Sequence, residues 1–238
     1  MAKVILTRPQ GENEGLAARL SEFDVTILPL IKLSGTALTE SMKKTATDLD
    51  LFDEIIFVSK SAVKFAMPHL ESYWPQWPLK LKWLAVGVGT AQALAPFGVQ
   101  ASFPQTAGSE GLLALEELRK VDGHRILIAR GSGGRELLAT ELTQRGADVH
   151  YFESYERTPV PQPLLKDIDA GSILVATSAE IMQSALEQLE GKQGKLNLIV
   201  PSERIEALAV QQGFGRVLNA RGASEQALYD AVVSVVSK

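Results

Sequence analysis

The residues of this chain best equipped for chemistry are arginines, hydroxyls and glycines that follow short apolar runs, and their types suit holding an anion better than attacking a bond. Arg130-Gly131-Ser132-Gly133-Gly134-Arg135-Glu136 comes directly after Ile126–Ala129. Its glycines permit backbone turns that converge N–H groups on an anion, and the same glycines serve equally well in a plain tight turn. Gly87-Val88-Gly89-Thr90 stands in the same way after Trp83–Val86. Neither stretch completes G-x-G-x-x-G, since Gln92 and Glu136 occupy the third glycine's place. No G-x-x-x-x-G-K-[ST] occurs either, so a P-loop is unsupported.

Conventional catalytic groups are scarce. The 238 residues include no cysteine, which excludes disulfides and thiolate nucleophiles, and only three histidines. His69, His124 and His150 match no metal spacing, so structural or surface roles are expected for each and no metal is expected. A G-x-S-x-G elbow is absent, and carboxylates fall mostly on amphipathic stretches such as Leu115-Glu116-Glu117-Leu118. The formal net charge of −4 argues against a nucleic-acid partner, which needs a basic face for its phosphates, while leaving room for a local basic pocket. Tyr73-Trp74-Pro75-Gln76-Trp77-Pro78 is expected to be a loop packed over a helix end. The Val4–Leu6 run is too short for a signal-peptide core, and no window approaches the ~20 apolar residues of a membrane span. A cytoplasmic location without membrane association is the expectation.

The elements that must position these residues alternate between short apolar runs and stretches of helical period, the pattern of βαβ units with parallel sheets. Strands are expected at Lys3–Thr7, Val25–Leu30, Glu54–Ser59, Trp83–Val86, Val99–Phe103, Arg125–Ala129, Val149–Ser154, Ser172–Thr177, Asn197–Val200 and Arg216–Asn219. The chain also repeats itself. KVILTRP, then LAARL and DVTILPL, parallel RILIARG, LLATEL and DVHYFES; EIIFVSKSAVKFA parallels SILVATSAEIMQSA; WLAVGVGTAQAL parallels LNLIVPSERIEAL; and GSEGLLAL parallels ASEQALYD. Four blocks in one order indicate a duplicated α/β unit. Arg8 pairs with Arg130 and Ser59 with Ser178 in this repeat, all at the carboxyl ends of strands, where open parallel sheets bind ligands.

These blocks together resemble the uroporphyrinogen-III synthase family along nearly the whole chain. The resemblance rests on ILTRP at Ile5–Pro9, FVSKSAV at Phe57–Val63, AVGVGTAQAL at Ala85–Leu94 and GSEGLL at Gly108–Leu113. It continues through ILIARGSGGRELLATELTQRGADV, Tyr155-Glu156-Arg157-Thr158-Pro159, ATS at Ala176–Ser178 and VPSERIEAL at Val200–Leu208. It implies a cofactor-independent, cyclising lyase of haem and sirohaem biosynthesis that converts hydroxymethylbilane, a linear tetrapyrrole, to uroporphyrinogen III. Water is lost and ring D inverted, by way of an azafulvene cation and a spiro intermediate. Because the bilane ionises and cyclises unaided to the wrong isomer, orientation is the enzyme's main task, and positioning alone is worth ~7–11 kcal/mol in well-oriented reactions.

On this resemblance Tyr155 assists departure of the hydroxyl, and Thr90 places a hydroxyl at the cleft, where a helix N-cap is its ordinary alternative. Ser59, Ser178 and Ser202 bond acetate or propionate groups; Ser132 and Gly133, from the glycine-rich stretch that could form an anion nest, are further substrate-binding candidates. Lys60, Arg8, Arg130, Arg135 and Arg204 supply positive charge to the polycarboxylate. The implied fold is α/β, with two similar parallel-sheet, flavodoxin- or Rossmann-like domains: 1–33 plus 158–238, and 35–153. Crossing connector strands lie near 28–33 and 152–158, with a cleft between the domains. A monomer, with hand-over of the bilane from hydroxymethylbilane synthase, completes the expectation. The rival is a two-domain protein that closes on an anionic small molecule without transforming it.

Overall fold

The computed structural model describes residues 3–134 and 136–236. In chain order its strands are β1 (Lys3–Leu6), β2 (Asp24–Ile27), β3 (Ile31–Gly35), β4 (Glu54–Phe57), β5 (Lys82–Ala85), β6 (Arg125–Gly131), β7 (Asp148–Pro159), β8 (Ile173–Val175), β9 (Asn197–Val200) and β10 (Arg216–Asn219). The helices between them are α1 (Glu14–Arg19), α2 (Glu40–Thr47), α3 (Lys60–Tyr73), α4 (Val88–Leu94), α5 (Ser109–Ala114), α6 (Leu137–Gln144), α7 (Ala179–Gln188), α8 (Glu203–Gln211) and α9 (Glu225–Val236). The chain divides into two compact units, Met1–Lys32 with Thr158–Lys238, and Leu33–Arg157. Each is α/β.

In the first unit the strand order is β10-β9-β8-β1-β2, with every ladder parallel. Val4, Leu6, Ile173, Val175 and Ile199 point from these strands into a core completed by Leu16, Leu20, Leu228 and Val232 of α1, the residue after it, and α9. In the second unit the order is β3-β7-β6-β4-β5, parallel through β7, β6, β4 and β5. Its strands are apolar on both faces, as a sheet covered on both sides requires. Ile55, Phe57, Leu127, Ala129 and Phe152 meet α3 on one face, and Ile56, Leu84, Ile126 and Ile128 meet Leu112, Leu138 and Leu142 on the other.

Several expected elements differ in the structure. Val99–Phe103 is no strand: Ser102 makes one bridge to Leu84, and Pro104, which has no N–H to donate, follows at once. The strand expected at Val25–Leu30 ends at Ile27, and Pro29 separates it from β3. Serine, valine and threonine at the ends of other expected strands fall to caps and loops. β7 is twice the expected length, at 12 residues. The aromatic run does pack beyond the end of α3: Trp74 Nε1 donates to the Ala46 carbonyl at 2.6 Å, and Trp77 Nε1 to that of Phe97 at 2.9 Å.

Matching the repeated blocks to the strand orders shows how the duplication is used. β8, β9 and β10 sit in the first unit as β4, β5 and the Ser102 bridge sit in the second, and β1–β2 there correspond to β6–β7. The leading strand–helix–strand block of each copy is therefore housed with the remaining blocks of the other copy.

Candidate functional site

Tyr155 and Ser59 come together at the carboxyl edge of the Leu33–Arg157 unit. Ser59 directly precedes α3 in extended backbone (φ −166°, ψ 163°), and its Oγ accepts the Ala62 N–H at 2.9 Å, an N-cap. The same Oγ lies 3.1 Å from the phenol oxygen of Tyr155. Tyr155 reaches it through a bulge. Arg130 is opposite Glu153 but Gly131 is opposite Tyr155, so Ser154 is the extra residue on β7. The shift breaks strand alternation, and Phe152 and Tyr155, three apart, both enter the core on the α3 face.

The Tyr155 ring is fully buried. Phe65 of α3 stacks on it at 5.3 Å, the Arg157 guanidinium lies 5.0 Å from its centroid, and Arg157 Nη2 donates to the phenol oxygen at 2.8 Å. Only glycine leaves room at 131, since a Cβ there would meet the ring at 2.7 Å. Phe65, Gly131 as a steric neighbour, and the role of Arg157 were not foreseen from sequence, although Gly131 and Arg157 both stand in the stretches that carry the family resemblance.

Lys60 is exposed and its side chain passes over Gly89, where a Cβ would lie 2.8 Å from Cε. Thr90 is buried as the third residue of α4, and Gly87 holds the N-cap position instead of Thr90, because the chain enters the helix three residues earlier than the N-cap expectation required. The 130–136 loop has the geometry of a stapled turn. Arg130, only 5% exposed, gives Nε to the Gly131 carbonyl at 3.2 Å, Nη1 to Glu136 at 3.0 Å and Nη2 to the Gly133 carbonyl. Ser132 N–H donates to the Tyr155 carbonyl at 2.7 Å and Gly133 N–H to Glu153 at 3.2 Å, so the donors expected to form an anion nest already have internal acceptors. Arg135 lies outside the described residues. Beside the loop, burial and the Glu136 carboxylate push the Tyr151 phenol up to about 12.

The other unit holds Arg8, Ser178, Ser202 and Arg204 at its own carboxyl edge. Arg8 donates Nη2 to the Ala223 carbonyl, and burial lowers its pKa against the opposing pull of Glu12 and Glu225. Ser178 caps α7 by accepting the Ile181 N–H at 3.1 Å. Ser202 precedes α8 without such a bond, and Arg204 is exposed.

In the Leu33–Arg157 unit, Asp53, Glu54 and His124 bring potential metal ligands within 4.8 Å of one another at the amino end of β4, the end of that strand away from Ser59. Glu54 is fully buried there and already paired, with Lys82 Nζ at 3.0 Å and His124 Nδ1 at 3.1 Å. An ion-pair cluster accounts for its geometry. Among the described residues no helix is long and apolar enough to cross a membrane.

Comparison with known proteins agrees with this arrangement. The family model described as uroporphyrinogen-III synthase HemD matches residues 14–230. The uroporphyrinogen-III synthase of Escherichia coli (strain K12) is 32% identical over 96% of this chain and 99% of its own. That of Salmonella typhimurium is 34% identical over the same shares. Among solved structures, the uroporphyrinogen-III synthetase of Helicobacter pylori shares the fold with a TM-score of 0.71 at 18% identity, covering 99% of this chain and 100% of that one. A mutant uroporphyrinogen III synthase of Thermus thermophilus does so at 0.66 and 16%, covering all of both chains. With a family match over nearly its full length and two relatives above 30% identity from end to end, this chain belongs to the uroporphyrinogen-III synthase family.

Proposed function

We propose that this chain cyclises hydroxymethylbilane to uroporphyrinogen III, inverting ring D and releasing water. The observation that carries the site is the meeting of Ser59 and Tyr155 at 3.1 Å on a strand-end edge. A hydroxyl pair of this kind can assist a leaving hydroxyl group without any strong nucleophile. Thr90 and Lys60 extend the same edge, Lys60 with an exposed ammonium suited to a substrate carboxylate. The other unit carries hydroxyl and cationic groups at its own strand-end edge, in Ser178, Ser202, Arg8 and Arg204. Arg130 acts through the turn it staples, which holds the end of β6 against β7.

The reaction runs by orientation. Loss of the terminal hydroxyl gives a cation that closes wrongly in water, so the protein must keep the bilane folded while ring D turns over. The test supplies purified protein with freshly generated hydroxymethylbilane and separates the oxidised porphyrins by chromatography. Product diverted from the type I to the type III isomer is expected. A mixture identical to the enzyme-free control, from folded protein, overturns the reading.

A further inference from the structure

Tyr155 is fully buried, whereas Ser59 is only partly so. The phenol thus lies behind the serine hydroxyl, and the hydrogen bonds around the pair have a direction. A phenol oxygen has one hydrogen to give and lone pairs to receive; a guanidinium can only donate. Arg157 Nη2 occupies a lone pair of the phenol oxygen at 2.8 Å; either oxygen of the 3.1 Å pair can donate, and in one of the two arrangements the phenol hydrogen goes to Ser59 Oγ. Ser59 Oγ also accepts the Ala62 N–H at 2.9 Å. With both its lone pairs engaged in that arrangement, the hydrogen of Ser59 is the one left to point outward.

We propose that Arg157 is a positioning residue that polarises a chain running from its guanidinium through the Tyr155 phenol to the Ser59 hydroxyl, and that Ser59 is the group that reaches the departing oxygen. This rests on the cyclisation reading above. In the first step the carbon–oxygen bond of the hydroxymethyl group breaks and both its electrons leave with oxygen. That oxygen takes the Ser59 proton and departs as water, while Ser59 takes the Tyr155 proton. The phenolate left behind faces the Arg157 cation. After ring D has inverted and the macrocycle has closed, the carbon that joined the rings loses a proton to restore the pyrrole. That proton returns through Ser59 to Tyr155, so the enzyme ends as it began. The bulge at Ser154 and the absence of a side chain at Gly131 are what place the phenol in this line.

The experiment compares Arg157→Gln, Arg157→Lys, Tyr155→Phe and the Arg157→Gln/Tyr155→Phe double variant with the unaltered protein, on freshly generated hydroxymethylbilane. It measures kcat, KM, isomer composition and thermal unfolding. Arg157→Gln is expected to lower kcat about 10-fold, the scale of a hydrogen bond to a charged group, with KM nearly unchanged. Arg157→Lys is expected to recover a good part of it, and Arg157→Gln to add little in the Tyr155→Phe background. A raised KM with kcat intact would place Arg157 on a substrate carboxylate and overturn the proposal. So would losses that multiply in the double variant, or a fall in kcat that tracks lowered Tm without rescue by lysine. If the unaltered protein forms only the type I isomer, the cyclisation reading itself fails and the proposal falls with it; failure confined to the variants leaves that reading standing.

Discussion

Replacing Gly131 with alanine tests the placement of Tyr155 with one added methyl group. The new Cβ would lie 2.7 Å from Cε2 and Cζ of Tyr155 and 3.0 Å from Nη1 of Arg157. Carbon atoms settle at about 3.5 Å or more, so the ring must retreat by 3.5 − 2.7, about 0.8 Å. Phe65, stacked on it at 5.3 Å, limits where it can go. A retreat of that size, directed away from Ser59, stretches the 3.1 Å contact toward about 3.9 Å, beyond hydrogen-bonding range. Gly131 has no positive φ, so alanine brings no backbone strain, and the effect comes from the ring and the neighbouring Arg157 guanidinium. Overpacking of this kind costs about 1–3 kcal/mol of stability. Displacing a reacting group by close to an ångström costs on the order of 100-fold in rate. Urea unfolding and kcat for type III product measure the two effects separately. Unchanged kcat in Gly131→Ala, with stability lowered, would show that the Tyr155–Ser59 contact has no part in turnover; no change in either would refute the packing described.

Ser178→Ala should lower stability by about 1 kcal/mol, the value of a helix cap, whereas Ser202→Ala should change it little because its hydroxyl makes no cap bond; chemical unfolding of the pair checks this. Tyr151 titrates at about 12 in the folded protein against an ordinary value of 10.0. Its neutral phenol therefore contributes stability in full below about pH 10, and the contribution disappears as pH rises through about 12. Tyr151→Phe should lack that part of the alkaline decline in unfolding free energy, and an identical decline in both proteins would contradict it. Lys82→Met leaves the buried Glu54 carboxylate with His124 as its remaining side-chain partner, and should destabilise the protein by about 1–3 kcal/mol with kcat at the remote edge unaltered.

Several features of this protein were legible in its residues alone. Alternating apolar runs specify parallel α/β structure because strands buried on both faces must be apolar throughout, as β4 is from Glu54 to Phe57 with one paired exception at its start. The repeat was visible because duplicated blocks keep their order, and it placed Ser59 and Ser178 at the carboxyl ends of strands; that both cap the helix that follows came from the structure. Contacts between distant segments were another matter. No periodicity announces that Ser154 is bulged, that Tyr155 thereby turns inward, or that Arg130 closes on its own loop with its guanidinium already engaged. These depend on which strands lie side by side and in what register, and register is set by packing across the sheet. The exchange of leading blocks between the two units is of the same kind: each block carries the same local pattern wherever it is housed, and only the pairing of β1 with β8, and of β6 with β4, decides where that is.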